Sequence, residues 1–161
     1  MKLTEIDFNL SSRIAQAALL TATDKEGRVN TMTVSWGGAG ILWGREVAFV
    51  FVRPERHTFG FCESGDTMSL SFFGSDKKDV LSFCGTKSGR DVDKFKECGL
   101  TYTLENGACI FDGAEITMVL KKLYAQDLDE KCFLTDSCKS FYQNGGYHRM
   151  YVCEIKDIMQ G

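Results

Sequence analysis

A single proline, Pro54, interrupts this chain of 161 residues, so little in it forbids regular secondary structure. Apolar runs are short: residues 47–52 are among the longest, far below the roughly 20 residues of a bilayer span. The amino terminus lacks a basic segment followed by an apolar signal core, which points to a cytoplasmic protein without a membrane partner. Cationic excess is missing too, since 19 lysines and arginines face 22 carboxylates for a net charge of −3. A general nucleic-acid binder presents a basic face to phosphates, and this balance argues against that class. The seven cysteines form no CxxC pair; their odd number without a secretion signal fits free thiols in a reducing compartment. The only histidines, His57 and His148, are far apart and have no Cys or carboxylate cluster at ligand spacing, so no metal site is expected. Nucleotide fingerprints also fail. Thr86 stands where a Walker A loop needs glycine before Lys87-Ser88, and Trp43 takes the third glycine's place after Gly38-Ala39-Gly40.

What is present is 43% hydrophobic content and no linker, repeat or low-complexity tract, which predicts one domain over residues 1–161. Residues 17–23 read as a strand, Lys25-Glu26-Gly27-Arg28 as its turn, and 29–36 as a returning strand with β-branched Thr31, Thr33 and Val34 alternating. Beyond a glycine cluster at Gly37, Gly38 and Gly40, read as a loop, residues 47–53 form a strand and Pro54 opens a short helix to about residue 63. Residues 67–73 read as a strand and 77–83 as a helix, while Asp91 caps another helix that runs to Glu97 and stops at Gly99. Strands follow at 102–104, 109–111, 115–126 and 149–155, with a short helix at 137–142. Without βαβ alternation, the expected fold is mainly β: a small antiparallel barrel with peripheral helices.

Three segments carry candidate chemistry. Asn30-Thr31-Met32-Thr33-Val34-Ser35-Trp36 places an amide, three hydroxyls and an indole at a strand end. Backbone donors and acceptors there suit the pyrimidine edge of a flavin, whose dimethylbenzene edge wants apolar cover. Taken alone, the segment more often means a half-exposed strand with threonines chosen for β-propensity and Trp36 in the core. In Arg53-Pro54-Glu55-Arg56-His57-Thr58 a strand gives way to a helix start, where free N–H groups, two guanidiniums and a hydroxyl suit a phosphate. A solvated helix start fits that segment equally. Cys84-Gly85-Thr86-Lys87-Ser88-Gly89-Arg90-Asp91 offers glycines, hydroxyls and cations as an anion nest, or else a plain surface connection. Cys84, beside these cations, is the thiol expected to have a lowered pKa.

Taken together and in order, these segments resemble the flavin reductase-like family that includes the flavoredoxins. Ser69-Leu70-Ser71-Phe72-Phe73 and Asp91-Val92-Asp93-Lys94-Phe95 match as well, and His148-Arg149-Met150-Tyr151-Val152-Cys153-Glu154-Ile155 looks like the family's last barrel strand. The resemblance implies an FMN-binding split β-barrel, with FMN held non-covalently in a homodimer at or near the subunit interface. It assigns Asn30, Thr31, Met32, Thr33, Val34, Ser35 and Trp36 to the isoalloxazine and ribityl chain. Arg53, Arg56, His57 and Thr58 fall to the phosphate, with the loop that begins at Cys84 and Gly85 and continues through Thr86, Lys87, Ser88 and Gly89. His148 approaches the flavin. Residues 101–144 carry no motif of the family. The implied activity is that of an oxidoreductase drawing on NAD(P)H, or of a carrier drawing on a redox protein partner, with no catalytic acid or base needed. The rival is a non-enzymatic module that uses the barrel to hold flavin or haem, with His57 and His148 as the imidazoles available to haem.

Overall fold

A computed structural model describes residues 1–161. Helix α1 (Leu10–Gln16) leads into strands β1 (Ala18–Thr23) and β2 (Val29–Val34), paired as the expected hairpin. Its turn is fixed by the Asp24 carboxylate, which accepts from the backbone N–H groups of Glu26 and Arg28 at 2.9 Å. The glycine cluster is not a loop. It forms strand β3 (Gly37–Leu42), paired with β4 (Arg45–Val52) across a turn in which Trp43 and Gly44 both adopt positive φ. Pairing with β4 supplies the order that glycine's low strand propensity withholds.

Helix α2 (His57–Ser64) begins three residues later than the sequence suggests. Pro54 sits at the second position of a β-turn closed by Arg56 N–H to Arg53 C=O at 3.0 Å, a place its fixed φ suits. Strand β5 (Thr67–Phe72) follows, then α3 (Lys78–Thr86), which takes Cys84, Gly85 and Thr86 out of the expected loop and into its last turn. Helix α4 (Lys94–Glu97) is capped by Asp93 rather than Asp91, the carboxylate accepting from Phe95 and Lys96 N–H. Strands β6 (Tyr102–Glu105) and β7 (Ala108–Phe111) make a separate two-stranded sheet. Strand β8 (Ile116–Asp127), the short helix α5 (Asp136–Lys139) and strand β9 (Arg149–Gln160) complete the chain.

The main sheet has seven strands in the order β2-β1-β5-β8-β9-β4-β3, all antiparallel. Its two edge strands, β2 and β3, are joined only by Ser35 and Trp36. Three residue steps reach about 10 Å at most, so the sheet must roll until its edges meet. The result is a barrel with one unpaired seam. Twenty buried residues fill its interior, among them Leu20, Met68, Met118 and Tyr151. Alternate residues of β1 face outward, and Leu19 packs with Phe73, Leu81 and Cys84 beneath α3. This double cover explains why every residue of β1 is buried. No helix is long and apolar enough to cross a membrane.

Candidate functional site

The seam opens at Ser35 and Trp36 into a cleft of about 200 Å³, lined also by Met32, Thr33, Val34, Phe51, Arg53, Arg56 and His148. Trp36 is not a core residue. Its side chain is 44% exposed and meets Phe141 edge-on, with ring centroids 5.2 Å apart. His148 is buried beside it, and its Nδ1 lies 2.7 Å from the Tyr142 hydroxyl. Burial above all, and then the Arg53 charge, push the imidazole down to about 4, so it is neutral at physiological pH. The neutral ring and the phenol share this hydrogen bond, whose direction the ring tautomer sets.

Arg53 departs from its expected place. Its guanidinium donates to the carbonyls of Phe141 (2.9 Å) and Gly146 (3.1 Å) and lies over the Tyr142 ring, fastening residues 141–146 to the wall of the ring cleft rather than lining the phosphate side. Phe141 and Tyr142 thus shape the site from a stretch that had no motif. Their only sequence signal is an aromatic pair before Gly145-Gly146.

A second cleft, of about 220 Å³, adjoins the first through Arg56, which lines both. No hydrophobic residue lines it; His57, Thr58, Gly85, Thr86, Lys87, Ser88 and Gly89 do, joined by Glu55, Arg90 and Lys94, which the resemblance did not assign. Helix α2 starts here without a side-chain cap, leaving its first N–H groups for an anion. Asn30 reaches toward this cleft, its amide donating to the Thr58 hydroxyl at 2.8 Å. Gly89 packs so closely that a Cβ would stand 2.4 Å from the Asn30 amide oxygen and 2.9 Å from the His57 ring. Thr31 faces away altogether, its hydroxyl bonded to that of Thr21 at 2.9 Å inside the barrel wall.

The charges here have no partners. Of the seven arginines, Arg13, Arg28, Arg45 and Arg149 are paired with carboxylates. Arg53, Arg56 and Arg90 are in no ion pair, and all three line these two clefts. Lys94 is 3% exposed and donates to the carbonyls of Thr31 (2.8 Å) and Cys84 (2.9 Å), while Arg56 donates to the same Cys84 oxygen at 3.3 Å. Burial, with Arg56 adding to it, lowers Lys94 to about 8. Two cations share one carbonyl, and the one carboxylate in the cleft wall, Glu55, is in ion-pair contact with neither, an arrangement that calls for an anion.

Cys84 contributes that carbonyl, not a reactive sulfur. Its thiol is fully buried under α3 and burial pushes it up to about 12, against the expected lowering. Gly85 lets α3 pack on β2, where a Cβ would meet the Thr33 side chain at 3.2 Å. His57 and His148 line different clefts, which gives a bis-histidine haem no support. No cluster of three or more His, Cys, Asp or Glu side chains is arranged to hold a metal ion. The residues present do fit FMN: a slot with aromatic and polar walls for a planar ring leads through Arg56 to a cationic slot for a phosphate.

Comparison with known proteins bears on this arrangement. No curated protein matches the chain. Among solved structures, an FMN-binding protein from Thermus thermophilus with bound p-hydroxybenzaldehyde aligns at TM-score 0.70 and 22% identity, over 89% of this chain and 70% of its own. Flavoredoxin from Methanosarcina acetivorans aligns at 0.71 and 15% identity, over 90% and 68%. A Shewanella frigidimarina protein assigned as a flavin reductase with a split barrel domain aligns at 0.71 and 17%, over 96% and 76%. The rolled sheet with its open seam is therefore a split barrel. A family model described as flavin reductase like domain matches residues 11–161, and the chain belongs to that family.

Proposed function

We propose that this chain binds FMN non-covalently and acts as an oxidoreductase, taking a hydride from NADH or NADPH, or electrons from a redox protein, and passing them on. One observation carries the reading: the three arginines without carboxylate partners and the buried Lys94 converge on two clefts that Arg56 joins. Membership of the family supports it. When bound, the isoalloxazine supplies the redox chemistry. The chain's own residues bind, orient and shield. Arg56, Lys87, Lys94 and the N–H groups of α2 hold the phosphate, while Met32, Val34 and Phe51 give the ring apolar cover. His148 stays a neutral imidazole through the physiological range, well above its pKa of about 4. That leaves no acid or base in the ring cleft poised near neutral pH, in keeping with a reaction that needs none.

A homodimer is part of the same proposal. The ring cleft, about 200 Å³, falls short of the roughly 300–1,000 Å³ of usual cofactor sites, and exposed Trp36 and Phe141 edge its mouth. A second copy would complete the cover.

The test is the visible spectrum of the purified protein, reconstituted with FMN where needed, before and after anaerobic addition of NADH or NADPH. Bleaching of the flavin bands by at least one nucleotide is expected. A yellow protein that neither bleaches removes the nicotinamide donor and leaves the protein-fed carrier; a protein that fails to retain added FMN overturns the flavin reading itself.

A further inference from the structure

Lys94 is the one buried lysine of the chain, and it lines the cationic cleft. Its Nζ donates to the backbone carbonyls of Thr31 and Cys84 and is in no ion pair. An ammonium has three protons to place, and these carbonyls take two. A neutral amine has two protons and a lone pair. In that form both protons stay on the carbonyls, and the lone pair is the one valence not spent on the wall of the barrel. Burial first, and then Arg56, favours the neutral form against the opposing pull of the Cys84 and Cys98 thiols. A desolvated lysine beside a second cation is a nucleophile near neutral pH.

Arg56 brings an electrophile to that nitrogen. Its guanidinium and Nζ share the Cys84 oxygen, so a phosphate held by Arg56 stands beside Lys94. Lys87, Ser88 and the first N–H groups of α2 complete an anion site with no hydrophobic residue in its lining. A phosphate monoester offers Nζ no carbon that it readily attacks. An acyl phosphate does, because its carbonyl carbon is one bridging oxygen from phosphorus and phosphate is a good leaving group.

We infer that Lys94 is an acylation site that takes its acyl group from a small acyl phosphate docked in the cationic cleft. Nζ attacks the carbonyl carbon and forms the N–C bond. The bond from that carbon to the bridging oxygen breaks, its electron pair staying on the oxygen, and the amine proton passes to the phosphate, which leaves as hydrogen phosphate. Nothing is oxidised or reduced. A bound phosphate favours the ammonium form and opposes attack, but holding the carbon against the nitrogen outweighs this. The product is a neutral amide, which removes one cation from the cleft and leaves a single N–H for two carbonyls. Acylation and phosphate binding therefore exclude one another. The inference needs the anion cleft alone and stands apart from the flavin reading; where that reading holds, acylation becomes a switch on FMN retention.

The experiment treats the full flavin-free chain with acetyl phosphate and, separately, with acetic anhydride, and maps the acetyl groups by peptide mass spectrometry. Acetyl phosphate is expected to modify Lys94 about tenfold or more faster than Lys25, Lys78 and Lys96, which are exposed and outside the cleft. Acetic anhydride has no phosphate to dock and should prefer those exposed lysines to Lys94. Excess inorganic phosphate should slow acetylation of Lys94 by about tenfold and leave the exposed lysines unchanged, and the chain acetylated at Lys94 should bind FMN about tenfold more weakly and riboflavin as before. Modification of Lys94 no faster than the exposed lysines overturns the inference. So does an acetyl group on Lys87 in its place, a rate at Lys94 indifferent to added phosphate, or an unchanged FMN affinity after acetylation. All of these use the wild type, so no variant has to fold. A chain acetylated at Lys94 under phosphate control that never bound flavin would sink the flavin reading and keep this one; FMN binding with Lys94 left unmodified would do the reverse.

Discussion

Lys94 keeps its charge between the carbonyls of Thr31 and Cys84, and this has a pH signature. Its folded pKa of about 8 lies below the ordinary 10.5. Between those values the unfolded chain holds more protons than the folded one, so this lysine makes stability rise with pH across that window. A phosphate in the cleft favours the charged form and opposes the shift. FMN binding should therefore take up a proton near pH 8 and weaken as pH rises through 8 to 10, whereas riboflavin binding should not. Lys94→Met should cost about 1–3 kcal/mol of FMN affinity, as expected for a lost charge-assisted bond, and flatten the pH dependence. Calorimetry in buffers of different ionisation heat measures both, and equal pH profiles for FMN and riboflavin would remove the phosphate from this cleft. Nothing in the sequence marks Lys94 as buried, because its burial arises where α4 docks on β2 and α3. Arg53 and Arg56 were legible as cations near a strand end, but not that the turn at Pro54 sends one to the ring cleft and lets the other bridge both.

At the scale of elements, strands that are apolar or β-branched runs bounded by turn signals were legible, as β1, β2, β5 and β8 show. The β3 strand left no such signal. Gly37, Gly38 and Gly40 have no side chains to alternate, and β4 alone makes them a strand. The C-terminal turn of α3 was hidden for the same reason, with Gly85 inside it. Gly37 requires its residue on two counts: φ is 147° and a Cβ would lie 2.7 Å from the Phe49 carbonyl oxygen. Gly37→Ala should lower unfolding free energy by about 1–3 kcal/mol and, by moving Trp36, change the bound flavin's spectrum. A thermal melt and an absorption spectrum check it, and a stability equal to wild type would show that the seam tolerates strain.

For the molecule as a whole, the barrel was legible from strand dominance, turn spacing and the order of motifs, whereas the seam was not, because which strands pair is decided by contacts distant in sequence. Light scattering of the flavin-loaded protein should give about twice the 18.0 kDa of one chain, and a monomeric mass would mean that the ring is covered from within. Strand order also sets a schedule for biosynthesis. β9 lies between β8 and β4, so the β3–β4 hairpin has no other hydrogen-bonded link to the sheet. On the ribosome, the cations at Arg56, Lys87 and Lys94 emerge well before Arg149–Gln160. Until that strand clears the exit tunnel, the hairpin that carries Phe51 waits with two bare edges, a target for chaperones. Under the proposed function, FMN loading then follows synthesis rather than accompanying it.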